Sequence, residues 1–301
     1  MAAKTNYIDK ENLYSVPLPV HAETYTVISH ETICKYVHQQ LDAAGFSIMN
    51  ETFKANVNGE VAYGVYQLDH SNDPDLSMMF AWGNSYDKSR RFRCAIGANV
   101  TVSNNSMISG GNTNYARKHT GTADLEALQH ITNQVAGAIG DYEKLIQDKD
   151  LLKNITISAK LRSEIIGRLF LENEILNLNQ MGIILNEMKK PSFNYNADQD
   201  SAWTLYNHIN LSLKESHPAK WMDHHQELHR FFINEYGRLI DNTKEDTDNS
   251  IPFVKPEIAL APSLLISAEK EQDVQYEQMK DALGEIFYPN LKNKPQSVVF
   301  L

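Results

Sequence analysis

Residues 46–102 read FSIMNETFKANVNGEVAYGVYQLDHSNDPDLSMMFAWGNSYDKSRRFRCAIGANVTV. A hydrophobic period of two runs through this stretch and sets the fold. Phe46, Ile48 and residues 51–53 open a strand. Asn58-Gly59 supplies a hairpin turn, because both residues tolerate positive φ, and Val61, Tyr63, Val65, Tyr66 and Leu68 form the returning strand. Asp73-Pro74 marks the next turn, and residues 76–82 give a third strand. In a fourth run, 91–102, Phe92, Cys94, Ile96 and Ala98 share one face. That face is expected to pack on the preceding helix, leaving Arg91, Arg93 and Asn99 on the other. At ~3.4 Å per residue the two arginines then stand about 7 Å apart.

Upstream, residues 1–20 are polar, carry Pro17 and Pro19, and read as an arm or edge segment. Ser29 caps a helix over 30–44, with Glu31 in its first turn, Gly45 past its end, and Ile33, Tyr36, Val37 and Leu41 on one face. Downstream, Gly110-Gly111 and Gly121 flank a flexible connection, after which the period becomes helical. The spacing predicts helices over 123–147, 158–171, 177–188, 200–214 and 218–240, with Pro218 in a first turn, where its missing N–H costs nothing. Residues 241–257 are polar and acidic and read as a connector; 269–287 read as a last helix, and 294–301 end in an apolar tip. The expected fold class is α+β: an antiparallel four- to five-stranded sheet with a packed helix, followed by a helical subdomain. The expected domains are 1–121 (sheet, basic strand and loop), 122–242 (helical) and 243–301 (acidic linker, helix and tail).

Composition narrows the functional classes. The 301 residues hold 42% hydrophobic and 22% charged side chains, enough for a sizeable core in a soluble protein. Cys34 and Cys94 have no CxxC partner or zinc spacing and read as buried thiols. No run approaches the roughly 18 apolar residues that span a bilayer, and 1–16 lack the pattern of a secretory signal. The expected location is therefore cytoplasmic, with no membrane partner.

The net charge of −10 argues against a protein that coats nucleic acid indiscriminately. Yet residues 84–119 set Lys88, Arg90, Arg91, Arg93, Arg117 and Lys118 against Asp87 alone, a local charge of +5 that leaves −15 on the rest. Such an island attracts anions even on an acidic molecule. The plainer reading is a solvated hairpin. The sharper one is a nucleic-acid surface on which those cations hold phosphates and Tyr86, Phe92 or Trp82 stack on bases.

Four motifs carry a resemblance: Asn84-Ser85-Tyr86-Asp87; Val102-Ser103-Asn104-Asn105-Ser106-Met107 after the arginine-bearing strand; Trp203 with Asn207; and Asp223-His224-His225. Their order over residues 27–235 resembles the phage- and plasmid-type family catalogued as domain of unknown function 932. Ser103 or Asn104 stands where many relatives carry cysteine, and Asn105 where many carry glycine, so thiol chemistry would fail here. The resemblance implies a mobile-element origin and the cytoplasm of a bacterial host, and leaves the activity open. It selects Asn84, Asp87, Asn104, Asn207 and Asp223 as a polar set that would converge beside the sheet. Alternatively, Asn84 and Asn104 fix strand-end turns and Asn207 ties a helix to the sheet.

His225 and His229 stand at i, i+4, as two ligands of one divalent metal would. Asp223, His208 or His217 would supply a third, although HHQELH is not HExxH; the plainer reading is polar histidines on a solvated helix. No catalytic residue, P-loop or GxSxG can be named. The expected function is a phage- or plasmid-encoded accessory protein of the single-strand binding or annealing type. Alternatives are a metal-assisted enzyme acting on nucleic acid or nucleotide, and an acidic module that binds or inhibits a host protein. A homo-oligomer fits all three.

Overall fold

The computed structural model describes residues 6–19, 27–109, 115–117 and 123–235. Contacts place the sheet and the helices that follow it in one compact unit, Met1–Lys244. The residues on both sides of the boundary expected at 121–122 fall within that unit. The connector, last helix and tail expected over 241–301 lie outside the described residues.

The sheet is antiparallel, in the order β1 (Asn6–Tyr7), β2 (Ile48–Ala55), β3 (Val61–Leu68), β4 (Leu76–Ser85), β5 (Phe92–Val100), β6 (Asn105–Ile108). A short β7 (Tyr115–Arg117) pairs with the first residues of β5, and β6 with the last. The α+β class holds; β1, β6 and β7 extend the sheet beyond the four strands read from the pattern. The N-terminal arm contributes β1 and a short helix, α1 (Lys10–Tyr14), capped by Asp9.

One sheet face is apolar and roofed by helices. Phe53, Tyr66, Phe80, Trp82, Phe92 and Ile96 are buried there with Ile33, Val37 and Leu41 of α2 (His30–Ala43). Ser29 caps α2 through its hydroxyl, and Gly45 takes φ +80° just beyond. The helix expected over 123–147 is two, α3 (Ala123–Ala136) and α4 (Ala138–Lys153), broken at Gly137. Sequence reasoning ran one helix through Gly137, although a glycine inside a helical period weakens it. Both helices pack on β5.

The remaining helices are α5 (Ala159–Leu171), α6 (Leu178–Lys189), α7 (Ala202–Leu213) and α8 (Pro218–Arg230), with a π-helical turn at Phe231–Glu235. Helix α7 is almost wholly buried and is tied to the sheet by amides. The Asn105 Nδ2 donates to the backbone and side-chain oxygens of Asn207 at 3.1 Å, and Asn210 Nδ2 donates to the Ser106 carbonyl at 2.7 Å. Helix α8 lies on the second sheet face, where Trp221 and Met222 pack with Tyr63, Met79, Ala81 and Ala95.

Neighbouring strands crowd β5 as well, and Gly97 shows how closely. A Cβ there would fall 2.7 Å from the Met107 carbonyl oxygen and 2.5 Å from Met79 Cε. Gly182, on exposed α6, has nothing within 4 Å of its added Cβ. Gly97→Ala is expected to lose about 1–3 kcal/mol from overpacking, whereas Gly182→Ala gains about 0.5–1 kcal/mol from helix propensity. Urea unfolding of both variants beside the parent checks the contrast.

Candidate functional site at the arginine edge

The β4–β5 hairpin carries Lys88, Arg90 and Arg91 in its turn, and Arg93 is the second residue of β5. Ser85 closes the turn, its hydroxyl donating to the Arg90 carbonyl and accepting from the Arg90 N–H, each at 3.0 Å. Lys88 sits at φ +63°. Arg93 lies on the face away from Phe92, as the alternation predicts, and Arg91 is exposed. In β4 and β5 every residue is buried except Gly83 and Arg93, and these two are directly paired. Gly83 offers no side chain, and a Cβ built there meets nothing within 4 Å, so the Arg93 side chain leaves the sheet over open space.

Helix α8 brings the counter-charge. Its N-cap is His217, whose Nδ1 accepts from the Ala219 N–H at 3.2 Å, and Pro218 opens its first turn. Asp223 then reaches the Arg93 guanidinium and stands 3.5 Å from that of Arg90. Burial, and then the charges of Arg90 and Arg91, hold the Arg93 guanidinium below its ordinary pKa. A cavity of about 180 Å³ collects Arg90, Arg91, Arg93, Gly83, Met222 and Asp223. Three guanidiniums against one carboxylate leave it net positive. On its far side Arg90 also borders a shallow groove with Lys220 and Arg230, balanced there by Glu174, Asp223 and Glu227.

The structure corrects the stacking residues. Trp82 and Phe92 are 0% exposed on the helix-covered face, where the strand alternation sends them. Tyr86 is buried as well: its ring stacks on His30 at 4.0 Å and its hydroxyl accepts from the His30 N–H at 2.7 Å. None of the three presents a face to a base. Arg117 is placed only by its strand, and Lys118 lies outside the described residues.

The polar set does not converge. Asn84 is buried at the end of β4 and donates to the Ile28 carbonyl at 2.7 Å, fastening the approach to α2. Asp87 accepts from the Ser89 N–H in the exposed hairpin. Asn104 takes φ +53° in the β5–β6 turn, and Asn207 holds α7 to β6. Of the set, Asn84 also lines the arginine cavity, and the member that pairs with the arginines is Asp223. Sequence reasoning had singled it out for a metal, and no local signal marked it as their partner.

Nor do His225, His229 and Asp223 form one ligand set. His225 donates from Nδ1 to the Trp221 carbonyl at 2.8 Å, and His229 lies 3.1 Å from Asp148. Asp223 is engaged by arginine, since helical geometry turns it away from the other two. Among the described residues no group of three or more His, Cys, Asp or Glu is arranged to hold a metal. No described helix is long and apolar enough to cross a membrane. Comparisons with protein-family models, with curated proteins and with solved structures returned no match, so the family resemblance rests on the quoted residues alone.

Burial holds His225 down at about 3 and His224, whose Nδ1 is 3.0 Å from the Ser216 hydroxyl, at about 4. Both pKa values are depressed from an unfolded value of 6.5. Between those limits the unfolded chain binds protons that the folded one does not, so stability falls as pH falls. For His225, 1% exposed, the loss is about 2–3 kcal/mol near pH ~4.5. Ring resonances of His224 and His225 should stay neutral down to pH ~5; a midpoint near the ordinary value for either would show the burial argument to be wrong.

Proposed function

We propose that this chain binds single-stranded nucleic acid by its phosphates along the arginine edge, as an accessory protein of a phage or plasmid acting in the cytoplasm of a bacterial host. The supporting observation is the imbalance at that edge: Arg90 and Arg93 share Asp223, Arg91 lines the same cavity, and Asp223 is the one carboxylate in that lining, beside the open space over Gly83. Guanidiniums crowded in this way are relieved by a second anion, and arginine matches phosphate through paired N–H donors. The core position of Trp82, Phe92 and Tyr86 limits the contact to backbone, so the binding carries little sequence preference. The acidic remainder of the molecule repels the strand elsewhere and orients it on the edge.

Fluorescence anisotropy with labelled single-stranded DNA and RNA across a salt series tests this reading. Each phosphate contact adds about 0.7 to the log–log salt slope on a single strand. Arg91→Glu should lower the slope by roughly that amount and weaken binding by about tenfold or more. Gly83→Val, which fills the open space without changing charge, should weaken binding too, while Asp223→Asn should strengthen it by removing the competing carboxylate. Absence of binding at low salt, or an Arg91→Glu variant that binds like the parent, sinks the proposal.

A further inference from the structure

A second cavity, of about 230 Å³, opens on the same sheet face and shares Tyr63 alone with the lining of the arginine cavity. Lys54 of β2, Tyr63 of β3 and Asn99 of β5 contribute from the sheet, and Ser106, Lys214 and Trp221 from β6 and the helical layer. None of its lining residues is an acid. Lys54 is 8% exposed, and its ammonium donates to the Lys214 carbonyl at 3.1 Å. The Lys214 ammonium donates to the Ser103 carbonyl at 2.5 Å. Both partners are neutral, so two positive charges share a confined space with no carboxylate between them. Burial and then Lys54 bring the Lys214 amine down to about 8. The Tyr7 ring lies 4.6 Å from the Lys54 ammonium, but no lining carboxylate pairs with either amine, whereas buried charges are ordinarily paired.

We propose that this cavity binds a small oxyanion, the phosphate or carboxylate group of a metabolite. Lys54 and Lys214 supply the charge, Asn99 and Ser106 supply hydrogen bonds, and the Tyr63–Trp221 stack, 4.3 Å between ring centroids, forms the apolar wall. The volume suits a molecule of a few heavy atoms, since drug-sized ligands occupy about 300–1,000 Å³. A polymer strand does not enter. The site is independent of the arginine edge, and neither reading needs the other.

Isothermal titration calorimetry on the full chain, at constant ionic strength, tests the site with inorganic phosphate, ribose 5-phosphate and pyruvate. Saturable binding of at least one is expected. It should weaken by about tenfold or more in Lys54→Met and in Lys214→Met, each of which removes a charge-assisted hydrogen bond, and be unchanged in Arg91→Glu. The phosphate and pyruvate arms separate the two oxyanion sources. A measurement on the parent protein keeps the test independent of how the variants fold: lysine-selective carbon NMR follows the Lys214 amine with and without the bound anion. Lys54 from β2 is the charged group that acts on it, and Lys214 in turn acts on His225 of α8. The Lys214 midpoint should rise when the anion binds. No saturable binding, binding lost in Arg91→Glu, binding that survives both methionine variants, or a midpoint that the anion does not move would overturn the proposal.

Discussion

Strands β4 and β5 are buried on both faces, and this constraint decides where charge can go. An antiparallel sheet commonly keeps one face in water; here α2, α3 and α4 roof one face, and α8 covers part of the other. Along the two central strands a large side chain can escape only at the Gly83–Arg93 pair. The guanidinium at that exit is the first element of the arginine edge, and the hairpin turn beyond it adds Arg90 and Arg91. The edge is thus a consequence of closing two layers onto one sheet.

The closure itself relies on polar ties made through amide N–H groups. Buried amides must find partners, and the Asn105–Asn207 and Asn210–Ser106 bonds convert that demand into a fixed seat for α7. Helix α7 contacts α8, and α8 in turn carries Asp223 and Trp221 to the sheet. At the opposite end of the sheet the same logic appears with charge: Lys149 and Lys153 reach from α4 to Asp73 and Asp75 in the β3–β4 turn, at 2.5 Å each. Asp150 adds a third carboxylate 3.0 Å from Lys149, so both amines are fully paired. The arginine edge and the two-lysine cavity are not, which is why they stand out as sites and the Asp73–Lys149 network reads as structure.

Local signals in the sequence carried the architecture and stopped short of the site. Asn58-Gly59, the period-two strands and the caps at Ser29, Ser158 and Asn177 act within a few residues, so the elements they define were legible. Gly137 was visible too, but a single glycine was outweighed by the apolar period on either side. What decided the aromatic residues was which face the helices would cover: the alternation put Trp82 and Phe92 with the core face, and that face admits no ligand. The Asp223–Arg93 contact joins residues 130 positions apart through the docking of α8, and no spacing rule reaches that far. Lys54 and Lys214 were invisible for the same reason, since neither lies in a motif and only the packed layers bring them together.

A consistent fold removes conflicts between its parts, and the exceptions tend to fall where a partner is required. At the arginine edge, one carboxylate faces three guanidiniums although the chain as a whole has acids to spare, with 38 Asp and Glu against 28 Lys and Arg. The shortage is therefore one of placement. Solvent would mask it on an open surface, but Arg93 is half-buried under α8, where burial first and the neighbouring guanidiniums second depress its pKa. An anion arriving over Gly83 meets guanidiniums already held by the hairpin and by Asp223, so little side-chain ordering remains to oppose it.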